Sequence, residues 1–107
     1  MLAFSPIKYY IFTMDEIRRK LAELMPLLRG KYHVRRIGVF GSYACGSQSP
    51  ASDVDLLVEF SETVDLFLFA ELKLFLGKKL KKNVDLVTRD AVKKQLRKRI
   101  YSQVVFI

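Results

Sequence analysis

The stretch GSYACGSQSPASDVDLLVEF, residues 41–60, decides the fold of this 107-residue chain. It indicates a glycine-serine turn, a polar loop and an apolar strand that opens with Asp53 and Asp55. Side chains two residues apart on a strand share a face, so we expect both carboxylates on one side of the sheet. They repel each other unless a cation lies between them. Because Mg²⁺ takes one or two carboxylates together with phosphate oxygens, this pair predicts a magnesium site.

A glycine-serine turn precedes these carboxylates. Gly41 and Ser42 follow an apolar segment, residues 37–40, that is predicted as the end of a strand. Glycine adopts backbone angles that other residues avoid, and it lets a ligand approach the main chain closely. If a short helix begins at Ser42, its free N–H groups can bind an anion. A phosphate site next to a carboxylate pair indicates nucleotidyl or phosphoryl transfer.

A third carboxylate, Asp85, lies in the apolar segment NVDLVT, residues 83–88, which is predicted as another strand. If this strand lies beside the strand of Asp53, three carboxylates converge. The alternative is that Asp85 pairs with a basic neighbour. Glu59 is predicted to be solvated, because strand rise places it about 13 Å from Asp55, too far for a shared ion. The single histidine, His33, is assigned no functional role.

The spacing of these features resembles the signature of the DNA polymerase β-like nucleotidyltransferase superfamily. A Gly-Ser pair, ten residues and Asp-x-Asp are followed by KKNVDLVTRDAVKKQLRKRIYSQVVFI, and together they are similar to minimal nucleotidyltransferases, or MNT domains. The resemblance covers roughly residues 15–107. It implies an α+β fold, in which helices pack on a small mixed β-sheet.

The resemblance also implies an activity. MNT domains are mostly the antitoxin half of HEPN/MNT toxin–antitoxin pairs, which implies transfer of AMP from ATP to a tyrosine of a HEPN toxin. In this scheme Asp53, Asp55 and Asp85 are catalytic and hold two Mg²⁺ ions, and Gly41 and Ser42 bind the nucleotide phosphates. Two other functions stay open: an antitoxin that neutralises its partner by binding alone, and, ranked last, an RNA-binding module that uses the basic clusters.

One position departs from the family pattern. Many MNT relatives carry arginine where this chain has Cys45, within Gly-Ser-x-Ala-Arg-Gly. An arginine there would offer a forked cation to triphosphate oxygens. We therefore expect weaker nucleotide affinity unless Arg35, Arg36 or a lysine compensates.

Composition limits the class of protein. The chain is long enough for one domain, at residues 14–107, after an N-terminal extension, residues 1–13, that is expected to be poorly ordered or to add an edge strand at residues 7–12. Its net charge of +8 favours a nucleoside triphosphate, RNA or an acidic protein as partner. No apolar run approaches the roughly 18 residues of a membrane span. A single cysteine excludes an intramolecular disulfide and fits the cytoplasm.

Apolar residues at helical spacing predict helices at residues 15–29, 64–80 and 90–101. Asp15 is expected to cap the first helix and Gly30 to end it. The second helix is apolar on more than one side. Either the domain's own core covers both sides, or Phe67, Phe69 or Leu74 contacts another chain in a homo- or hetero-oligomer.

Overall fold

The structure, a computed structural model, describes residues 13–107. The expected extension and its alternative edge strand at residues 7–12 lie outside the described residues, apart from Thr13. The elements, in chain order, are α1 (Met14–Tyr32), β1 (Val34–Phe40), α2 (Ser42–Cys45), β2 (Val54–Phe60), α3 (Leu66–Leu80), β3 (Val84–Thr88), a 3₁₀ turn (Arg89–Ala91), α4 (Lys94–Gln103) and β4 (Val105–Phe106).

Four of these strands form one mixed sheet in the order β3-β2-β1-β4. β1 runs antiparallel to both β2 and β4, and β2 runs parallel to β3. The parallel pair requires a crossover connection, which α3 supplies. The predicted α+β class, a small mixed sheet with helices packed on it, is confirmed.

The start of α1 differs from the prediction. Thr13, not Asp15, is the N-cap, and it forms a capping box with Glu16. The Thr13 hydroxyl accepts from the Glu16 N–H at 3.1 Å, and the Glu16 carboxylate accepts from the Thr13 N–H at 3.0 Å. Asp15 instead lies in the first turn, where its negative charge is favourable to the helix dipole.

The predicted end of α1 at Gly30 is also wrong. The helix continues to Tyr32, whose side chain is 2% exposed and lies 5.4 Å, between ring centroids, from Phe75. His33 then takes the left-handed conformation, with φ at 57°, and its N–H donates to the Leu28 carbonyl. Burial of Tyr32 therefore outweighs the tendency of glycine to end a helix.

The main core lies on one face of the sheet. The buried stripe of α1 follows helical spacing, as predicted, and packs with α3 against alternate residues of β2. These core residues are Ile17, Leu21, Met25, Leu28 and Tyr32 of α1, Leu72, Leu76 and Leu80 of α3, and Val54, Leu56 and Val58 of β2. Strand alternation therefore turns Asp55 to the opposite face.

The prediction that Glu59 is solvated is wrong. Its side chain is 9% exposed and accepts hydrogen bonds from Arg36, at 2.9 Å and 3.1 Å, and from Arg35 and the Tyr101 hydroxyl. Bonding to Arg36, more than to Tyr101, holds the pKa of this carboxyl below its usual value, against the effect of burial. Glu59 therefore ties β1, β2 and α4 together on the face of the sheet that also carries Asp55.

The last helix, α4, begins at Lys94, four residues later than predicted. The 3₁₀ turn replaces the expected first turn of the last helix, because the Thr88 side chain caps the turn by accepting from the Ala91 N–H. β4 pairs with β1 opposite Gly38 and Val39. Within residues 13–107, no helix combines the length and the apolar character that crossing a membrane requires.

Candidate active site

The glycine-serine turn joins the end of β1 to α2. Gly41 has φ 73° and ψ −146°, a backbone conformation that is essentially restricted to glycine. α2 begins at Ser42, as the sequence suggested, and closes with Gly46 at φ 76°. The first N–H groups of such a helix have no acceptor within the helix. This turn therefore offers main-chain donors and no side chain at Gly41.

Gly41 lies directly against the carboxylate of Asp55. A Cβ atom placed on Gly41 would overlap Asp55 Oδ2. The strand register explains this approach, since Phe40, the last residue of β1, is the antiparallel partner of Asp55. Glycine is thus required at position 41 both by the backbone angles and by the neighbouring carboxylate.

Asp85 and Asp55 are neighbours across the parallel strands. They are direct partners in the β2–β3 register, and the Val54 N–H donates to the Asn83 carbonyl at 2.9 Å at the start of the pairing. Asp53 is exposed and lies just before β2. The condition set from the sequence, that the strand of Asp85 lies beside the strand of Asp53 and Asp55, is met.

The negative charges of Asp53 and Asp85 act on the half-buried carboxyl of Asp55. Burial, and then the negative charges of Asp85 and Asp53, raise the pKa of Asp55. A divalent cation would relieve this repulsion, so the donor set suits Mg²⁺ in chemistry. Among residues 13–107, however, no three His, Cys, Asp or Glu side chains lie close enough together to hold an ion by themselves. The carboxylates therefore suit an ion that takes further oxygens from a phosphate ligand.

A cavity of about 950 Å³ opens beside two of these carboxylates. Asp53 and Asp85 line it, whereas Gly41, Ser42 and Asp55 do not. Its other lining residues include Lys73, Leu74, Lys78, Lys81 and Lys82. The carboxylates therefore stand between two regions, the glycine-serine turn and a lysine-rich cavity.

Other cations could replace the arginine expected at position 45, where the chain has Cys45. Cys45 is exposed in α2 and carries no charge that could replace arginine. Arg35 and Arg36, two candidates for this compensation, are both bonded to Glu59. Lysines do line the cavity that Asp53 and Asp85 share.

Those lysines were missed as site residues from the sequence. In the sequence Lys78, Lys81 and Lys82 form a basic cluster at the end of a predicted helix, and positive charge at a helix C-terminus is favourable without any ligand. Only the packing of α3 beside β3 brings them, together with Lys73, to the cavity of Asp53 and Asp85. No local pattern in the sequence carries that information.

Comparison with known proteins identifies the family of this chain. The family model for the nucleotidyltransferase domain matches residues 14–106. A protein adenylyltransferase of Thermococcus cleftensis is 39% identical over 97 residues, which are 91% of this chain and 98% of that protein.

Two solved structures share the fold. A protein assigned as a minimal nucleotidyltransferase is 31% identical, with a TM-score of 0.76, over 88% of this chain and 95% of the other. A chain from a complex described as tri-AMPylated Shewanella oneidensis HEPN toxin with MNT antitoxin is 25% identical, with a TM-score of 0.62, over 84% of this chain and 70% of the other.

Proposed function

This chain belongs to the nucleotidyltransferase domain family, and from that premise we propose that it transfers AMP from ATP to a tyrosine of a HEPN toxin and thereby acts as the antitoxin. The family match confirms the predicted superfamily and the predicted enzyme class of nucleotidyltransferase. The observation that carries the proposal is the contact of Gly41 with the Asp55 carboxylate, beside Asp85. It joins a main-chain phosphate site to the carboxylates that a transferase needs.

The relatives support the nucleotide and the acceptor. The Thermococcus cleftensis protein is named for adenylyl transfer to protein, and the solved complex contains an AMPylated HEPN toxin with an MNT antitoxin. The reaction is in-line attack by a tyrosine oxygen on the α-phosphorus of ATP. A new O–P bond forms, the bond from the α-phosphorus to the bridging oxygen breaks, and pyrophosphate and the phenolic proton leave. The single cysteine of the chain fits a reaction in the cytoplasm.

The residues have separate parts in this reaction. Gly41 and Ser42 bind the β and γ phosphates through main-chain N–H groups and the Ser42 hydroxyl. Asp53, Asp55 and Asp85 would hold Mg²⁺ together with phosphate oxygens, with two ions proposed. When bound, Mg²⁺ neutralises phosphate charge and makes the acceptor hydroxyl more acidic. Asp85 and Asp53 open to the lysine-rich cavity, so we place the acceptor on that side.

A second function is favoured by one observation. Cys45 stands where many MNT relatives carry arginine, and Arg35 and Arg36, which precede the turn, are both bonded to Glu59. A chain with weakened nucleotide affinity could still neutralise its partner by binding it. Such an antitoxin would need no ATP.

One assay separates these two functions. The chain is incubated with the HEPN protein of the same genome, Mg²⁺ and labelled ATP, and both label transfer and loss of toxin activity are measured. The transferase proposal expects the double variant Asp53→Asn/Asp55→Asn to lose both. Asp15→Asn, which removes an exposed carboxylate from α1, is the matched control and should retain both. Neutralisation that persists in the double variant, without label transfer, would establish the binding function instead.

A further inference from the structure

The outer face of α3 carries large apolar side chains that the described residues leave uncovered. Leu66, Phe67 and Leu74 are 83%, 87% and 74% exposed. Phe67, Ala70 and Leu74 are spaced by three and four residues, so they lie along one side of the helix. Phe69, by contrast, is half-buried, with its ring centroid 6.4 Å from that of Phe60. The exposed side of α3, Leu66, Phe67, Ala70 and Leu74, is named here the α3 stripe.

The α3 stripe leads into the cavity of the candidate site. Leu74 itself lines that cavity together with Asp53 and Asp85. At a helical rise of about 1.5 Å per residue, Phe67 lies roughly 10 Å further along the helix. A partner protein that covers Phe67 and Leu74 therefore also lies over the cavity that Asp53 and Asp85 line.

Lysines line the same cavity as Leu74. Lys73 and Lys78 of α3 and Lys81 beyond its end line the cavity, and within residues 13–107 none of them forms an ion pair. Lys82 is held differently, since its ammonium donates to the Pro50 carbonyl at 2.6 Å. Among the described residues, Lys73, Lys78 and Lys81 are therefore cations without a carboxylate partner, and they line the same cavity as the exposed Leu74.

We propose that the α3 stripe and Lys73, Lys78 and Lys81 form the docking surface for the acceptor protein, and that the docking segment of the acceptor is acidic with an apolar anchor. This inference rests on the proposed function, since it assigns the acceptor side of that same site. The apolar anchor covers Phe67 and Leu74, while acidic residues of the segment pair with the lysines. Docking there presents the acceptor hydroxyl beside Asp85.

Two other occupants fit the surface less well. The triphosphate of a nucleotide would use the lysines but gain nothing from Phe67 and Leu74, and exposed apolar patches mark protein interfaces. Gly41 and Ser42 also lie outside this cavity. A second copy of the chain would bring like charges together, because the chain carries a net charge of +8 and like-charge contacts disfavour association.

The test measures binding and catalysis separately. Affinity for the HEPN protein of the same genome is measured by titration calorimetry without nucleotide, and transfer kinetics give KM for that protein and for ATP. Phe67→Ser/Leu74→Ser and Lys73→Gln/Lys78→Gln are the test variants. Leu27→Ser, which alters an apolar side chain of α1 that is 43% exposed, and Lys98→Gln, on exposed α4 surface, are the matched controls.

The inference expects each test variant to raise Kd and KM for the HEPN protein by about tenfold, since each loses interface contacts worth at least about 1.4 kcal/mol. KM for ATP should change by less than about twofold, and both controls should bind like the wild type. An unchanged Kd in the test variants overturns the inference, as does a rise in KM for ATP alone, which would assign the lysines to the triphosphate. Self-association lost in the variants while HEPN affinity persists overturns it too. A wild-type chain that neither binds nor modifies the HEPN protein refutes the proposed function and this inference with it.

Discussion

At the scale of single residues, the carboxyl of Asp55 is both partly buried and close to two negative charges. Burial, followed by the charges of Asp85 and Asp53, raises its pKa. Between the unfolded and folded pKa values the native state holds the extra proton, so stability falls as the pH rises through that window. At neutral pH the ionised carboxylate therefore costs stability in the metal-free protein. Such a cost at a candidate site is the usual mark of a residue retained for function.

Asp55→Asn should therefore stabilise the metal-free protein at pH 7. The gain should shrink toward pH 3.8, the ordinary pKa of an aspartate, because a raised pKa leaves more than half of the wild-type carboxyls protonated in the folded state at that pH. Urea unfolding at pH 7 and at about pH 4 measures both differences. Glu23→Gln, at an exposed position on α1, is the control for loss of one negative charge. A wild type more stable than Asp55→Asn at pH 7 would show that Asp55 is stabilising instead.

Gly41→Ala should damage both the fold and the site. The new Cβ meets the Asp55 carboxylate at a backbone conformation that side chains avoid, and such strain costs about 1–3 kcal/mol. Displacement of Asp55 should also reduce label transfer. Gly30→Ala is the matched control, because Gly30 lies inside α1 with open space around it and alanine there should stabilise by up to about 1 kcal/mol. Thermal unfolding that leaves Gly41→Ala equal to wild type would show that the turn tolerates a side chain.

At the scale of elements, Glu59 connects β1, β2 and α4. Arg36 and Tyr101 donate to its carboxylate from two different elements, and the lowered pKa reflects those bonds. A carboxyl with a lowered folded pKa contributes stability above its unfolded pKa, and that contribution disappears as the pH falls through the folded value. This network holds α4 on the same sheet face as Asp55.

Glu59→Gln should cost about 1–3 kcal/mol of stability at pH 7, because Arg35 and Arg36 lose a buried anionic acceptor. The difference from wild type should narrow as the pH falls below 4.5, the ordinary value for a glutamate, toward the lower folded pKa. Chemical unfolding across this range measures it, with Glu23→Gln on the exposed side of α1 as control. A difference that stays constant with pH would mean that packing, not charge, makes Glu59 important.

The elements also show where sequence reasoning succeeds and where it stops. β2 and β3 with Asp55 and Asp85 were predictable, because apolar strands interrupted by carboxylates are local patterns. Glu59 was not, because its partner Tyr101 is 42 residues further along the chain. The end of α1 was missed for a similar reason, since burial of Tyr32 depends on α3.

At the scale of the whole molecule, the fold shows where part of the positive charge lies on the surface. The net charge of +8 predicted an anionic partner but no location for it. The crossover through α3 brings several lysines to the cavity of Asp53 and Asp85, while Gly41 and Ser42 lie outside that cavity. One side of the carboxylates thus suits a nucleotide and the other an acidic protein.

The proposed activity is tested most directly by locating AMP on the HEPN protein. The HEPN protein is incubated with the chain, ATP and Mg²⁺, and tandem mass spectrometry identifies the modified residue. The account predicts AMP on a tyrosine oxygen with the wild type. With Asp55→Asn it predicts at least about 100-fold slower modification, since a metal site contributes several kcal/mol to such a reaction. A HEPN protein that the wild type leaves unmodified, or that both chains modify at the same rate, would contradict it.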